Sequence, residues 1–166
     1  VRGTTKQKKC RIPLLAGKGF DLGALSQDLG QLKEFWYNLF IMENSQILLV
    51  EDDVFLSSLL KNRLEKEGLN VSLAKDGDEA LNLLKSLKPS LILLDLILPK
   101  KSGFEVMEEI KNDPQMFSKE VPIIIISNLG QPEDVNRGQE LGAIEYFVKA
   151  KTSIDELVGK IKEFLV

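Results

Sequence analysis

Five times between Ser45 and Val166 a short run rich in aliphatic residues gives way to a stretch of helical spacing, with Gly, Pro, Asn or Asp at the joins. The strands predicted are Ile47–Val50, Asn70–Ala74, Leu91–Leu94, Val121–Ile126 and Ile144–Val148. The helices predicted between and after them are Val54–Glu67, Asp78–Leu87, Gly103–Asn112, Glu133–Leu141 and Ser153–Leu165. In the first helix Leu56, Leu59, Leu60 and Leu64 recur at the spacing of a buried face, and in the second Ala80, Leu81, Leu83 and Leu84 do so. A strand followed by a helix, repeated, returns to the same sheet by a right-handed crossover. Leu91–Leu94 and Ile123–Ile126 show no polar alternation, as strands covered by helices on both faces require. The fold class that follows is α/β, a doubly wound parallel sheet of five strands.

Sheets of this kind hold their ligands beyond the carboxyl ends of the strands, at the topological switch point. Those ends carry Glu51, Asp52 and Asp53 after the first strand, Asp95 after the third, Ser127 after the fourth and Lys149 after the fifth. Carboxylates gathered without a cation repel one another, and a hard divalent ion with oxygen ligands relieves the repulsion. Mg2+ is the expected occupant, with coordination left over for a phosphoryl oxygen. Lys149 would neutralise a second such oxygen, and the Ser127 hydroxyl would donate to a third. An acidic triplet by itself signals little, because Asp and Glu at a helix N-terminus commonly cap it or complement its dipole. For Glu51 alone that reading comes first. Asp95 is a different case, since a carboxylate placed directly after an apolar run is costly to bury unless paired. A purely structural pairing with Lys149 is its alternative.

Composition narrows the chemistry. The chain has no histidine, which excludes a Ser-His-Asp triad, an HExxH zinc site and a phospho-donor histidine. Its single Cys10 cannot form an internal disulfide, which favours a reducing, intracellular compartment. Residues 1–44 carry 7 Lys/Arg against 4 Asp/Glu and residues 45–166 carry 15 against 21, so the net charge of -3 divides into +3 and -6. An acidic body argues against direct binding to nucleic acid, which needs clustered cations. No apolar run approaches the roughly 20 residues of a membrane-spanning helix, so a cytoplasmic protein without a membrane partner is expected.

The segments ILLVEDD, LAKDGDEAL, LILLDLILPKKSGFEV, PIIIISN and GAIEYFVK together resemble the successive signatures of response-regulator receiver domains, over essentially all of residues 45–166. Pro99 and Gly103 stand four and eight residues after Asp95, as in that family. The resemblance implies the flavodoxin-like receiver fold with strand order 2-1-3-4-5. It implies that Asp95 is the phosphoacceptor, with Asp52 a direct Mg2+ ligand and Glu51 an acidic partner acting through water. The backbone carbonyl of Ile97 would be a further metal ligand, and Asp53 falls outside the acidic pair. Lys149 and Ser127 would serve the phosphoryl group, Ser127 also being the switch hydroxyl and Tyr146 the rotating aromatic. Simple core packing is the alternative for Tyr146.

The function implied is that of a phosphorelay component. A sensor histidine kinase or phosphotransfer protein would supply the phosphoryl group, and a downstream protein would dock on the last helix and strands. The domain would not be an enzyme acting on a separate substrate. Because the chain stops after the fifth helix, a stand-alone regulator without an output domain is expected. Two departures from the family carry expectations of their own. Ile97 and Leu129 are apolar where many receivers orient hydrolytic water, which predicts slow self-dephosphorylation. Ala150 stands where the family has a proline, commonly after a cis bond; a cis bond to alanine costs about 2.5 to 4 kcal/mol, so trans is expected.

Rival functions find less support. A haloacid-dehalogenase-type phosphatase needs a second Asp two residues after its nucleophile, where this chain has Ile97. Neither GxGxxG nor GxxxxGK[ST] follows the first strand, as a nucleotide-binding enzyme would require. A receiver-like interaction module working without phosphorylation remains the alternative. Residues 1–44 lack a sustained period and read as an extension to the 45–166 domain. Three readings compete for residues 1–41: a basic arm, a docking helix around Trp36, or sequence upstream of a native start at Met42. The last is favoured.

Overall fold

Strands and helices alternate along the chain as β1 (Gln46–Val50), α1 (Val54–Lys66), β2 (Asn70–Ala74), α2 (Gly77–Leu84), β3 (Leu91–Leu94), α3 (Gly103–Asn112), β4 (Ile123–Ser127), α4 (Pro132–Glu140), β5 (Ala143–Val148) and α5 (Ile154–Leu165). The computed structural model describes Leu32, residues 45–113 and residues 121–165. The chain divides into two units, Val1–Glu34 and Phe35–Val166, and all that follows concerns the second. The expectations about a basic arm, a helix around Trp36 and Cys10 fall outside the described residues.

All strand pairings are parallel and the sheet order is β2-β1-β3-β4-β5, the doubly wound arrangement expected. The chain runs from β1 out to β2, then crosses back over β1 to β3, so the switch point lies between β1 and β3. The strand period of two sorts the core into two layers. Ile47, Leu49, Leu91, Leu93, Ile124 and Ile126 face α1 and α5, where Leu60, Leu64, Leu157 and Ile161 meet them. Leu48, Val50, Ile92, Leu94, Ile123 and Ile125 face the opposite way, against Ala80 and Leu84 of α2 and Val106 and Met107 of α3. Uniformly apolar β3 and β4 are thus covered on both sides, for the reason their sequence suggested.

Several element boundaries differ from the sequence reading, each for a local reason. The fourth strand begins at Ile123, because Pro122 has no N–H for the ladder; its carbonyl still accepts from the Ile92 amide at 3.0 Å. At its other end Ser127 pairs with Val148 and joins the strand as its last residue. Helix α2 ends at Leu84 and not at Leu87, because the Lys85 and Ser86 amides turn to the Asn82 and Leu83 carbonyls three residues back and tighten the last turn. In α1, Leu59 lies 41% exposed instead of facing the core. Ser57 turns inward in its stead, its hydroxyl donating to the Val54 carbonyl at 3.2 Å.

Leu93 is fully buried in the middle of β3. Leu93→Ala is expected to lower stability by about 2–5 kcal/mol through lost burial and the cavity left behind. Urea denaturation checks this as a lower midpoint at unchanged slope.

Candidate functional site

The ladder runs one residue past the ends of the central strands and thereby fixes the site. Val50 is paired with Leu94, the Glu51 amide donates to the Ala74 carbonyl at 2.9 Å, and the Asp95 amide donates to the Val50 carbonyl at 3.0 Å. Glu51 and Asp95 therefore emerge side by side at the switch point. From the other side the Lys149 amide donates to the Ser127 carbonyl at 2.9 Å, which sets the start of the lysine side chain beyond β5.

Lys149 Nζ lies 2.5 Å from Asp95 Oδ2 and 2.7 Å from Glu51 Oε2, and all three side chains are buried or nearly so. The other Asp95 oxygen, Oδ1, accepts the Ile97 amide at 3.1 Å. Both oxygens are held, so the plane of the carboxylate is fixed in advance. Burial pushes the Glu51 carboxyl above its ordinary value; Lys149 opposes that push and the nearby Asp95 adds to it. Burial alone would lower the Lys149 ammonium, but its hydrogen bonds to Asp95 and Glu51 outweigh that and hold it above its ordinary value. The peptide bond from Lys149 to Ala150 is trans, as expected, and the ammonium reaches Asp95 without a proline after it.

Asp52 completes the acidic group from its exposed rim. One carboxylate oxygen each of Glu51, Asp52 and Asp95 lies within 4.8 Å of the others. Three carboxylates against one ammonium leave a formal -2, and oxygen donors suit a hard divalent cation. Capping of α1 falls to Asp53, whose Oδ1 accepts the Phe55 and Leu56 amides at 2.8 and 2.9 Å. The capping alternative for Glu51 is therefore corrected: Asp53 does that work, and Glu51 is buried against Lys149.

Ser127 and Tyr146 gather around Leu129. The fully buried Ser127 Oγ accepts the Leu129 amide at 3.4 Å, and the Tyr146 hydroxyl donates to the Leu129 carbonyl at 2.9 Å. The tyrosine ring rests on α4 at Gly138, where a Cβ would meet Ile125 Cδ1 at 2.6 Å and Tyr146 Cδ2 at 3.3 Å. Gly103 has a comparable role at Asp95: a Cβ there would lie 2.3 Å from the Asp95 carbonyl oxygen.

The family model for the response regulator receiver domain matches residues 47–162. The chain belongs to this family. Among similar proteins, the transcriptional regulatory protein CpxR of Klebsiella pneumoniae is 40% identical over 121 residues, covering 73% of this chain and 49% of that one. The DNA-binding dual master transcriptional regulator RpaA of Synechocystis is 33% identical over 120 residues, 72% of this chain and 48% of its own. The non-phosphorylated HemR receiver domain of Leptospira biflexa superposes with a TM-score of 0.66 at 33% identity, covering 74% of this chain and 94% of that domain. The receiver domain of Francisella response regulator 1452 gives 0.67 at 27% identity, covering 74% and 97%. The chain spans about half the length of the curated relatives it matches. Among the described residues no helix is long and apolar enough to cross a membrane.

Beyond the residues singled out from the sequence, the receiver domain uses the Leu129 backbone as the meeting point of Ser127 and Tyr146. A backbone carbonyl has no sequence signal of its own. Tyr146 itself carries a testable electrostatic mark. Burial, with smaller contributions from Asp134 and Asp95, pushes its phenol from 10.0 up to about 12. The folded state thus keeps the phenol proton after an unfolded tyrosine has lost it, so stability falls as pH rises from about 10 towards about 12. Tyrosinate absorbance in an alkaline titration should show one of the two tyrosines ionising late, and Tyr146→Phe should remove that late component.

Proposed function

We propose that this receiver domain takes a phosphoryl group onto Asp95 from a histidine kinase or phosphotransfer protein. The observation that carries this reading is the buried Asp95 carboxylate held at one oxygen by Lys149 and at the other by the Ile97 amide, beside an acidic pair. A structural ion pair alone has no need of Glu51 and Asp52 at the same place. Asp52 and Asp95, with Glu51 beside them and the Ile97 carbonyl, would hold Mg2+. When bound, the ion supplies charge neutralisation for the carboxylates and the transferring oxygens.

The chain's own groups do the rest. A carboxylate oxygen of Asp95 attacks phosphorus in line; the bond to the donor nitrogen breaks and an acyl phosphate forms. Lys149 is already in place to neutralise the oxygen charge that moves with the phosphoryl group. The Ser127 hydroxyl holds only a long 3.4 Å contact with Leu129, so it is readily drawn to a phosphoryl oxygen. That movement disturbs the Leu129 segment to which Tyr146 is bonded, and a changed surface on β5 and α5 would be the signal read by a downstream protein. We place the domain in the cytoplasm and regard it as a phosphoacceptor, not as an enzyme with a separate substrate. The same chemistry serves a single-domain regulator and a receiver within a longer one, and the chain spans about half the length of relatives such as CpxR.

Incubation with acetyl phosphate and Mg2+ tests the reading. Intact mass should show one added phosphoryl group on the wild type and none on Asp95→Ala. Lys149→Ala should label about 10²–10³ more slowly. An unlabelled wild type would favour an interaction module that works without phosphorylation.

The lifetime of the mark is a separate expectation. Ile97 is 52% exposed and Leu129 is partly buried, and neither offers a polar group to orient water. The acyl phosphate should therefore persist far beyond seconds after the donor is removed, and polar replacement of both residues should shorten it. A lifetime of seconds that is insensitive to those replacements would refute the idea.

A further inference from the structure

The loop from Leu96 to Ser102 joins Asp95 to α3, and at its far side it is fastened to the start of α2. The Asp76 side chain there is 4% exposed and both its oxygens are engaged. Oδ1 accepts the Glu79 amide at 2.8 Å and caps α2, while Oδ2 receives Lys100 Nζ at 2.7 Å. Next to this pair Lys101 hydrogen-bonds Glu109, and a Cβ on Gly77 would meet the Lys101 carbonyl oxygen at 2.5 Å. The loop backbone thus lies directly on the first residue of α2.

Lys100 has φ 63 and is the only non-glycine residue with positive φ among the described residues. A side chain in that region is disfavoured and persists where the surroundings over-determine it. Exposed ion pairs usually contribute little, and Lys100 is 58% exposed. This pair differs because its carboxylate is buried and would be left without its cation. Capping accounts for Asp76 Oδ1 alone. The buried Oδ2 and the left-handed Lys100 call for another explanation.

The near end of the same loop supplies it. Ile97 donates its amide to Asp95 Oδ1 at 3.1 Å, and the Gly103 amide closes the loop on the Leu96 carbonyl at 3.0 Å. We propose that Asp76 and Lys100 form a positioning tie, which fixes the course of the loop and so the Ile97 peptide groups beside Asp95. The tie touches neither metal nor phosphoryl group. It rests on the reading of Glu51, Asp52 and Asp95 as a divalent-cation and phosphoryl site, and it adds two residues to what that site depends on.

Three variants of the full chain separate the tie from its bland alternatives. Lys100→Met cuts the pair and leaves a side chain in the left-handed backbone. Lys100→Gly cuts the pair and suits that backbone. Asp76→Asn keeps the capping oxygen and removes the charge. Calorimetric titration with Mg2+ should show affinity weakened about tenfold in each. Acetyl phosphate labelling at sub-saturating Mg2+ should fall in proportion and recover when Mg2+ is saturating. Hydrogen exchange at the Lys101 and Gly103 amides should quicken.

Lys100→Gly should lower the thermal midpoint less than Lys100→Met, because it suits the left-handed backbone, while Mg2+ affinity falls equally in both, a combination that a merely stabilising ion pair does not produce. Joining Asp76→Asn to Lys100→Met should add nothing to either alone, because both cut one connection. Mg2+ affinities within about twofold of wild type in all three variants, or additive losses in the double variant, would overturn the tie. A wild type that binds Mg2+ but takes no phosphoryl group overturns the phosphoacceptor reading only, and the tie is then judged on Mg2+ affinity and exchange. A wild type that binds no Mg2+ overturns both.

Discussion

Two buried carboxylates share one ammonium, and much of this domain's architecture serves to make that tolerable. Glu51 and Asp95 are brought together by the sheet itself, through the pairing of Val50 with Leu94 and the ladder bonds just beyond it. Alone they would repel each other in a poorly solvated edge of the core. Lys149 comes from the far side of β4, so its approach depends on β3, β4 and β5 standing in that order. Removing Lys149 leaves both carboxylates uncompensated, and removing either carboxylate changes the charge the other shares with Lys149. This is why the site is better regarded as a single electrostatic unit than as three residues with separate roles.

The same sheet explains how a charge event here can reach the surface. β5 carries Phe147 into the layer beneath α1 and α5 and Tyr146 into the opposite layer, and Lys149 follows directly after its end. β4 ends at Ser127, whose neighbour Leu129 holds the Tyr146 hydroxyl. Two adjacent strand ends therefore link the charged group to an aromatic ring within a few residues. That ring sits where α4 has a glycine, so a helix face is adapted to its present position. α4 buries only Gly138 among its residues and is less anchored than α1 or α5, which bury several aliphatic side chains each. A helix with so little buried area is the element most easily moved.

Much of this was legible in the sequence because it is carried by pattern. Short apolar runs, helical spacing and polar residues at strand ends identified the fold class and brought Glu51, Asp52, Asp95, Ser127 and Lys149 to one edge before any coordinates. What the pattern did not convey depends on side-chain direction and backbone course. The inward face of α1 runs through Ser57, Leu60 and Leu64, and apolar spacing misses it because one of its members is a serine. The early end of α2 came from its last turn tightening into bonds three residues back, which apolar spacing does not signal. Nothing in the sequence marks Lys100 off from Lys101; its positive φ and its reach to Asp76 do.

Asp76 illustrates the same limit from the other side. Its Oδ1 caps α2, a role that an Asp before a helix start commonly takes. Capping uses one lone acceptor and would be satisfied at the surface, yet the residue is buried. A carboxylate goes under cover only where its second oxygen also has a partner, and the partner it has belongs to the loop that leaves Asp95. Asp95 is thus held before it by the ladder through Val50, and the loop after it is fastened to α2 by the Asp76–Lys100 pair. A site fixed on one side alone would let the Ile97 peptide drift, and with it the hydrogen bond that orients Asp95 Oδ1. The Asp95 carboxylate and the Leu129 segment thus take their hydrogen bonds through different loops, one fastened to α2 and the other to Tyr146.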